Sequence, residues 1–406
     1  MKILFTRFPL ESRTNGGAEL QTISLMEGLL KRGNAVAFAG SCPALLELCL
    51  GRNIPSTSFE IGPPPVTKWN AVSFAWRKRH MQKKLQILLN SFCHSTANKQ
   101  RHPERLRASG ASRGGVEGHD LDAIVMLSLT EKLLLTPLVT GPNTPILEYS
   151  HNPPHIFWLE HDPVGRWLTQ NPWLPQLLRL SKNVTIITVS ELSRALYIHM
   201  GFDPDRVVAI PNGIDLSRFS SAPPASSVSS ASSLKIGTIA RLEKEKGLDL
   251  LLQSIRDLPN VSLTIVGTGR EEANLRNLMR TLPHPDRVHL APNVPNLGTF
   301  YRSIDLLVLP SRTNDPFGLV AAEAMSLGVP VMVTDACGIA AYLKHDDNAV
   351  IVKADDVSAL RDGIRSLLDQ AKRASIAEKG RMFARTEFSL EKMTERYETL
   401  LKGKNL

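Results

Sequence analysis

Apolar and polar residues alternate along this chain on two different length scales. Short continuous apolar runs predict buried strands, and between them lie longer segments in which apolar residues recur at helical spacing. In the segment 18–31, for example, one helical face carries Leu20, Ile23, Met26 and Leu30. Strands that alternate with helices in this way are typical of parallel sheets covered by helices on both sides.

The alternation continues almost to the end of the chain and predicts two series of elements. The first series has strands at residues 2–5, 35–39, 123–127, 146–149 and 185–189, with helices at 18–31, 164–180 and 191–200. The second has strands at 234–239, 262–266, 288–290, 306–309, 329–333 and 349–352, with helices that begin near 247, 270, 296, 318 and 355 and a helical pair at 374–401. The pattern therefore indicates two similar α/β halves rather than an array of short repeats.

A segment of distinct composition separates the two series of strands and helices. Residues 217–233 are rich in Ser, Ala and Pro, a composition that is typical of a flexible connection and cannot form a core. A chain of 406 residues is also long for a single hydrophobic core. The predicted parts are an N-terminal Rossmann-like domain at 1–215, a linker at 216–233, a C-terminal Rossmann-like domain at 234–385 and a C-terminal helix at 386–406. Whether this C-terminal helix crosses back to the first domain stays open.

The net charge of +9 is concentrated in one stretch of the chain. Residues 68–113 contain eleven Lys or Arg and a single acid, whereas the remainder is nearly neutral. Residues 68–93 mix these charges with apolar side chains such as Met81 and Leu85, which suits either an anionic membrane surface or a helix whose charges are simply solvated. Residues 98–119 have few apolar side chains and predict an exposed, mobile loop. No recognition motif accompanies the basic stretch, so we expect no nucleic-acid partner.

Other features concern the cellular compartment. Arg7 and Pro9 interrupt the start of the chain before the apolar region of a signal peptide could form, and no run approaches the roughly 18 apolar residues of a spanning helix. The four cysteines lack the paired spacing of a zinc site or a disulfide framework. We therefore expect a cytoplasmic protein, with attachment to the inner face of the membrane as an open alternative.

The densest group of candidate functional residues lies at 309–325, where an apolar strand ends and a helix begins near Pro316. Glu323 lies in that helix among Ala and Met residues, and a carboxylate on such a face needs a polar partner, for which ribose hydroxyls are suitable. Gly318 lets a ligand approach the backbone, and the first amides of the helix favour an anion. Asp315 and Pro316 also have a structural interpretation as N-cap and first helical residue.

This segment resembles the signature of retaining glycosyltransferases with the GT-B fold, in the large group called family 4. The family pattern has two glutamates eight positions apart around Phe-Gly, here represented by Asp315, Phe317, Gly318, Leu319 and Glu323. The resemblance implies two Rossmann-like domains that face each other across a cleft. In similar enzymes the first acid contacts hydroxyls of the donor sugar, and the second holds the ribose. Asp315 is one methylene shorter than the expected Glu, which leaves the identity of the sugar open.

Further motifs follow in the order that the family predicts. Residues 236–247 resemble its Gly-Arg-Leu and Lys-Gly sequence, which assigns Arg241 and Lys246 to the departing diphosphate, and Gly267 lies in its strand-and-glycine turn. Two cations would stabilise the charge that develops on the leaving group without a metal. Because no aspartate-rich metal site is evident, we expect no metal and no cofactor besides the donor. Relatives carry a Glu after the glycines that correspond to Gly338, and this chain lacks it.

The first half supplies two more candidates. Gly16 and Gly17 follow the first strand, and the resemblance places such a pair against the donor phosphates and the reacting sugar, although an ordinary Gly-rich turn is the alternative. His151 follows the predicted strand at 146–149, in a segment similar to one found in mannosyl- and related transferases of surface polysaccharide assembly. Similar enzymes use such a His to contact the donor sugar.

The resemblance spans nearly the whole chain. It implies a retaining transferase that moves a hexose-type sugar from a UDP- or GDP-linked donor to a glycan or lipid-linked acceptor, in the assembly of cell-surface polysaccharide or lipopolysaccharide. A binding protein that keeps the fold but has lost turnover is the alternative, since Asp315 and the Glu missing after Gly338 depart from the pattern. A dinucleotide oxidoreductase is not supported, because its glycine fingerprint is absent after the first strand.

Overall fold

A computed structural model provides the fold of this chain. It describes residues 1–8, 17–59, 77, 80–83, 85, 121–140, 154–161, 173–219, 233–313 and 315–403. Within this part of the chain, the strands form two separate parallel sheets, one on each side of the linker. This arrangement confirms the prediction of two α/β halves.

The first sheet has seven strands in the order β3-β2-β1-β4-β5-β6-β7. Its strands are β1 (Lys2–Arg7), β2 (Ala35–Gly40), β3 (Ser56–Ser58), β4 (Ala123–Met126), β5 (His155–Glu160), β6 (Thr185–Thr188) and β7 (Val207–Ala209). The helices of this half are α1 (Gly17–Lys31), α2 (Pro43–Leu50), α3 (Leu129–Thr140), α4 (Leu174–Leu180) and α5 (Glu191–His199). The strand order reverses beside β1, and the carboxyl ends of strands on either side of such a point form the usual ligand crevice of α/β folds.

The second sheet has six strands in the order β10-β9-β8-β11-β12-β13. They are β8 (Leu234–Ile239), β9 (Val261–Val266), β10 (Val288–Ala291), β11 (Leu306–Leu309), β12 (Val331–Thr334) and β13 (Val350–Val352). The helices are α6 (Leu248–Ser254), α7 (Glu272–Arg280), α8 (Leu297–Ser303), α9 (Leu319–Ser326), α10 (Val357–Ser366), α11 (Gln370–Glu387) and α12 (Leu390–Leu401). Strands β11 and β12 are buried along their whole length, as expected for central strands covered on both faces.

Several elements differ from the sequence prediction. Strand β5 was not predicted, because its apolar centre is short and polar residues stand at both of its ends. The short strands β3 and β7, at the two edges of the first sheet, were also missed, as were helices α2 and α3. The strand predicted at 146–149 and the loop predicted at 98–119 lie outside the described residues.

The last helix joins the two halves. The helical pair predicted at 374–401 breaks at Phe388, after which the Ser389 hydroxyl accepts a hydrogen bond from the main-chain N–H of Lys392 and caps α12. Helix α12 then crosses to the first domain, where Met393 and Tyr397 are buried in the core beside α1. The sequence left the position of the C-terminal segment open. In the structure this segment connects the second domain to the core of the first.

Candidate active site

The carboxyl ends of the two sheets approach each other at the beginning of two helices. Gly17 begins α1 in the first domain, and Leu319 begins α9 in the second. A Cβ atom built on Gly17 would lie 3.8 Å from Cδ2 of Leu319. The first main-chain N–H groups of a helix have no partner within the helix, and the helix dipole gives that end a partial positive charge. Two such ends directed at one crevice favour an anion between them.

A left-handed turn aims α9 at the crevice. Gly318 precedes the helix with φ of 91°, a conformation that favours glycine, and no side chain caps the helix at this position. A Cβ on Gly318 would also lie 3.2 Å from Cγ2 of Ile339 and 3.3 Å from Cδ1 of Leu309. The uncapped N–H groups therefore stay available to a ligand because the turn leaves no room for a capping side chain.

Phe317 does not contribute its side chain to the crevice. The ring is buried, and it packs edge-on against Phe388 with the ring centroids 5.4 Å apart. Its carbonyl accepts a hydrogen bond from the N–H of Ile339. The side chain therefore anchors the turn before α9 in the core, and a contact of Phe317 with the donor stays a prediction.

A cation and an acid meet beside this turn. Nζ of Lys246 lies 2.7 Å from Oδ2 of Asp315, and both side chains are about 85% buried. The Ser311 hydroxyl donates to the same carboxylate oxygen at 3.2 Å. The two residues assigned separately from the sequence therefore form one ion pair at the mouth of the crevice.

Arg312 holds the turn that carries Lys246. Its main-chain N–H donates to the carbonyl of Glu245 at 2.8 Å, and its guanidinium donates to the carbonyl of Lys244 at 3.0 Å. The same guanidinium binds Asp249 and Asp355 with hydrogen bonds of 2.6 to 3.3 Å. Sequence analysis assigned no role to Arg312, because its partners are 43 to 68 positions away and no local pattern reveals them.

Arg241 lies on the same side of the second domain but is more open. Its side chain is 61% exposed, and its nearest acidic partner is Glu245 at 3.6 Å, in the turn that also carries Lys246. An exposed guanidinium can bind the oxygens of a diphosphate. The structure thus brings Arg241, Lys246 and Asp315 to one edge of the second sheet.

Gly267 has a structural role. A Cβ there would lie 1.9 Å from the carbonyl oxygen of Ala240, and φ of 150° also favours glycine. Its N–H already donates to the carbonyl of Ala291. The N–H of Gly267 is thus engaged, and the residue lets the ends of β8 and β9 approach; a contact of Gly267 with the donor stays a prediction.

Glu323 is buried and partnered within the chain. The Tyr301 hydroxyl donates to Oε2 of Glu323 at 2.6 Å, and a guanidinium nitrogen of Arg218 lies 3.5 Å from Oε1. Burial raises the pKa of Glu323, whereas the hydrogen bond from Tyr301 and the charge of Arg218 lower it. The expectation that a buried Glu323 needs a polar partner is met within the chain by Tyr301, and a contact of Glu323 with ribose hydroxyls stays a prediction. Arg218, near the start of the linker predicted at 216–233, was missed.

The two domains also touch beside the turn before α9. The Ser190 hydroxyl, which caps α5 in the first domain, donates to the carbonyl of Pro316 at 2.6 Å. The main-chain N–H of Glu191 donates to the hydroxyl of Tyr342 at 3.2 Å. Gly338, after which the Glu of the family pattern is missing, donates its N–H to the carbonyl of Asp315 at 2.8 Å. The Gly338 amide is therefore engaged in the fold.

A histidine that the sequence argument missed lies at the end of β5. Our candidates His151 and Gly16 lie outside the described residues. His161, however, directly follows β5, and Nε2 of its ring lies 3.1 Å from the hydroxyl of Thr22 in α1. Burial, together with the charges of Arg7 and Lys132, lowers the pKa of His161 to about 3, so the ring is neutral. The apolar run at 156–159, directly before Glu160 and His161, predicts a strand that ends near His161. This was the sequence signal that could have revealed the residue.

Two ion pairs surround His161. Arg7, at the end of β1, contacts Glu19 of α1 at 2.8 Å, and Lys132 of α3 forms an ion pair with Glu160. All four side chains are at least 84% buried. In each pair the two opposite charges compensate each other. These four side chains therefore offer hydrogen bonds rather than net charge to a ligand in the crevice.

Part of the proposed membrane face belongs to the core. Met81 and Leu85 are buried and pack in the first domain with residues such as Leu133 and Leu134. Lys83 is exposed. Met81 and Leu85 therefore serve the core and do not face a membrane. Most of the stretch at 68–93 lies outside the described residues, and its binding to a membrane stays a prediction.

In the part of the chain that the structure describes, no three or more His, Cys, Asp or Glu residues gather in a way that would hold a metal ion. Likewise, none of the helices described here combines the length and the hydrophobicity that crossing a bilayer requires. Metal independence stays a prediction.

The fold and the crevice together define the GT-B class, two Rossmann-like domains that enclose a ligand site between their carboxyl edges. Residues 96–218 match the family model for Glycosyltransferase Family 4, and residues 224–383 match the model for Glycosyl transferases group 1. These matches fall in both domains, and the chain belongs to the group 1, or family 4, glycosyltransferases.

Three individual similar proteins share 19% to 29% sequence identity with this chain over the aligned parts. An uncharacterized glycosyltransferase of Haemophilus influenzae is 26% identical over 61% of this chain and 69% of its own length. The lipopolysaccharide core biosynthesis glycosyltransferase LpsE of Rhizobium meliloti is 29% identical over 41% of this chain, which spans about half of LpsE (49%). The crystal structure of Anabaena HepE in complex with UDP is similar in fold, with a TM-score of 0.74 at 19% identity over 99% of this chain and 100% of HepE.

Proposed function

We propose that this glycosyltransferase moves a hexose from a UDP- or GDP-linked donor to a glycan or lipid-linked acceptor, with retention of the anomeric configuration. The observation that carries the proposal is the approach of Gly17 to Leu319, which directs the beginnings of two helices at one crevice. A diphosphate placed there would face the beginning of one helix from each domain.

The cations of the second domain extend this site. Breaking the bond between sugar and diphosphate adds negative charge to the leaving oxygen, and groups that stabilise this charge in the transition state accelerate the reaction. Lys246 lies at the mouth of the crevice, and Arg241 is exposed on the same edge. Glu323, held by Tyr301, would accept hydrogen bonds from the ribose of the nucleotide. Lys246 and Arg241 would therefore stabilise the leaving group, and Glu323 would recognise the nucleotide.

The acceptor and the cellular role rest on the relatives. LpsE is named for lipopolysaccharide core biosynthesis, and another relative is the capsular polysaccharide biosynthesis glycosyltransferase CapM of Staphylococcus aureus. We place this chain in the same class of pathway, in the cytoplasm. The free, buried cysteines Cys42, Cys49 and Cys337 fit a reducing compartment.

A panel experiment tests the proposal. Purified full-length chain is incubated with UDP- and GDP-linked hexoses, and release of UDP or GDP is measured with and without lipid-linked and glycan acceptors. We expect one donor to be consumed by the parent chain and not by Glu323→Ala. NMR of the product then reports whether the anomeric configuration of the donor is kept.

The alternative function, a binding protein without turnover, is tested in the same experiment. Its basis is Asp315, which replaces a Glu of the family pattern and is engaged with Lys246. Binding of a nucleotide sugar without release of nucleotide, under every acceptor tested, would favour this alternative. Absence of both binding and turnover across the panel would overturn the proposed transfer.

A further inference from the structure

Thr22 and His161 form a hydrogen-bonded pair across the crevice edge of the first domain. Thr22 is fully buried in the second turn of α1, and His161 follows the carboxyl end of β5. The Thr22 hydroxyl makes two contacts. It lies 2.9 Å from the carbonyl oxygen of Ala18, one turn earlier in the helix, and 3.1 Å from Nε2 of His161.

The number of hydrogen atoms decides the direction of these bonds. A threonine hydroxyl carries one hydrogen, and a carbonyl oxygen carries none. An oxygen–oxygen contact of 2.9 Å needs a hydrogen between the two atoms, so the Thr22 hydroxyl donates to Ala18. The contact to His161 then needs its hydrogen from the ring. Nε2 of His161 therefore carries a hydrogen and donates it to Thr22.

The surroundings keep the ring neutral, so that it has only this one hydrogen. Four charged side chains surround His161: Arg7 at the end of β1, Glu19 on α1, Lys132 on α3, and Glu160 at the end of β5. Burial and the two cations lower the pKa of the ring to about 3, although Lys132 is paired with Glu160. A neutral imidazole with hydrogen on Nε2 has a lone pair on Nδ1.

We propose that Thr22 is a positioning residue, which sets the tautomer of His161 so that Nδ1 accepts a hydrogen bond from a sugar hydroxyl in the crevice. No partner for Nδ1 occurs in the described part of the chain. Only the second half of this inference, the sugar hydroxyl, rests on the proposed function. The tautomer itself is a property of the free protein.

NMR of the full-length chain labelled with ¹⁵N-histidine tests the tautomer directly. Two-bond correlations between ring protons and ring nitrogens distinguish a nitrogen that carries hydrogen from one that does not, and His161→Gln identifies the signals among the 11 histidines. We expect His161 to carry hydrogen on Nε2 and to remain neutral throughout the neutral pH range. A ring with hydrogen on Nδ1, or an average of both forms, would overturn the proposal.

Two substitutions test the role of Thr22. Thr22→Val keeps the shape but removes the acceptor for Nε2, so we expect a changed tautomer signal and a roughly tenfold lower kcat/KM for the donor found in the panel. Thr22→Ser keeps the hydroxyl and should keep both properties. Thermal unfolding of each variant separates this effect from a loss of folded protein.

The outcomes separate this inference from the proposed function. If Thr22→Val has both the tautomer signal and the kcat/KM of the parent chain, Thr22 does not position His161, whatever the chain transfers. If no donor is consumed in the panel, transfer fails, and the NMR result still decides the tautomer. A changed tautomer with unchanged kcat/KM would overturn the contact between Nδ1 and the sugar.

Discussion

Lys246 and Asp315 form a nearly buried ion pair, with 2.7 Å between Nζ and Oδ2, although 69 positions separate them in the sequence. The pair joins the two motifs that the family resemblance assigns to the diphosphate and to the donor sugar. Because Ser311 donates to the same oxygen of Asp315, the carboxylate holds Lys246 toward the beginning of α9. We therefore expect Asp315 to place the cation.

Removal of this cation should reduce turnover strongly. We expect Lys246→Ala to lower kcat/KM for the donor by about 10²- to 10³-fold, as is typical when one group that stabilises developing negative charge is lost. Lys244→Ala is the matched control, because Lys244 is an exposed residue of the same turn. Initial rates of nucleotide release measure both. Equal rates for the two variants would contradict a role for Lys246 at the diphosphate.

Tyr301 should set the pH range of nucleotide binding. Its hydrogen bond lowers the pKa of Glu323, so Tyr301→Phe should raise this pKa. A protonated Glu323 is a poorer acceptor for ribose hydroxyls, and UDP affinity should fall as the pH drops through the pKa. The fall should therefore begin at a higher pH in Tyr301→Phe than in the parent chain.

Calorimetric titration with UDP from mildly alkaline to acidic pH measures this shift. Tyr397→Phe serves as control, since Tyr397 is buried in the core of the first domain. Identical pH profiles for Tyr301→Phe and the parent chain would show that Glu323 does not act through its ionised form.

Glu398 should stabilise the attachment of α12 to the first domain. It accepts a hydrogen bond from Arg32 at 2.6 Å, and Lys402 and Asn34 also donate to it. These bonds, with Arg32 the largest cause, lower the pKa of Glu398 to about 2. Because the folded pKa is depressed, the stabilisation is complete above the unfolded pKa of about 4.3 and is lost as the pH falls toward 2.

Glu398→Gln should accordingly reduce the free energy of unfolding by about 1–2 kcal/mol at neutral pH. Its difference from the parent chain should shrink as the pH falls below about 4. Denaturant unfolding at several pH values measures this, with Glu395→Gln, on the exposed side of α12, as control. A difference that stays constant with pH would exclude the ion pair as its cause.

Gly28 allows α1 and α12 to pack closely. A Cβ at this position would lie 2.3 Å from the hydroxyl oxygen of Thr394, so Gly28→Ala should cost about 1–3 kcal/mol of stability. Gly51→Ala is a suitable control, because its φ of −63° is ordinary and its nearest neighbour would be 3.6 Å away. If Gly28→Ala and Gly51→Ala unfold at the same denaturant concentration, the packing argument is wrong. Thr394→Ala should restore part of the loss.

Metal independence is testable once a donor is known. The expected leaving-group stabilisation comes from Lys246, Arg241 and helix N–H groups, so a chelator should leave donor turnover unchanged. Loss of turnover on chelation, with recovery on addition of magnesium, would show that a metal shares this task.

The sequence by itself determined the architecture and most of the second domain. Hydrophobic periodicity located the six strands of the second sheet to within two residues at each end, because central parallel strands are continuous apolar runs. The sequence also indicated Gly318 and Glu323, because these residues lie five positions apart in one continuous motif.

The tertiary structure decided what depends on partners far apart in the chain. Burial of Glu323 was predictable, but its partners Tyr301 and Arg218 come from other elements. The pair of Thr22 and His161 spans 139 positions, and no local spacing encodes it. Local patterns report which face of an element is apolar, whereas the contacts of a polar side chain are set only when separate elements pack together.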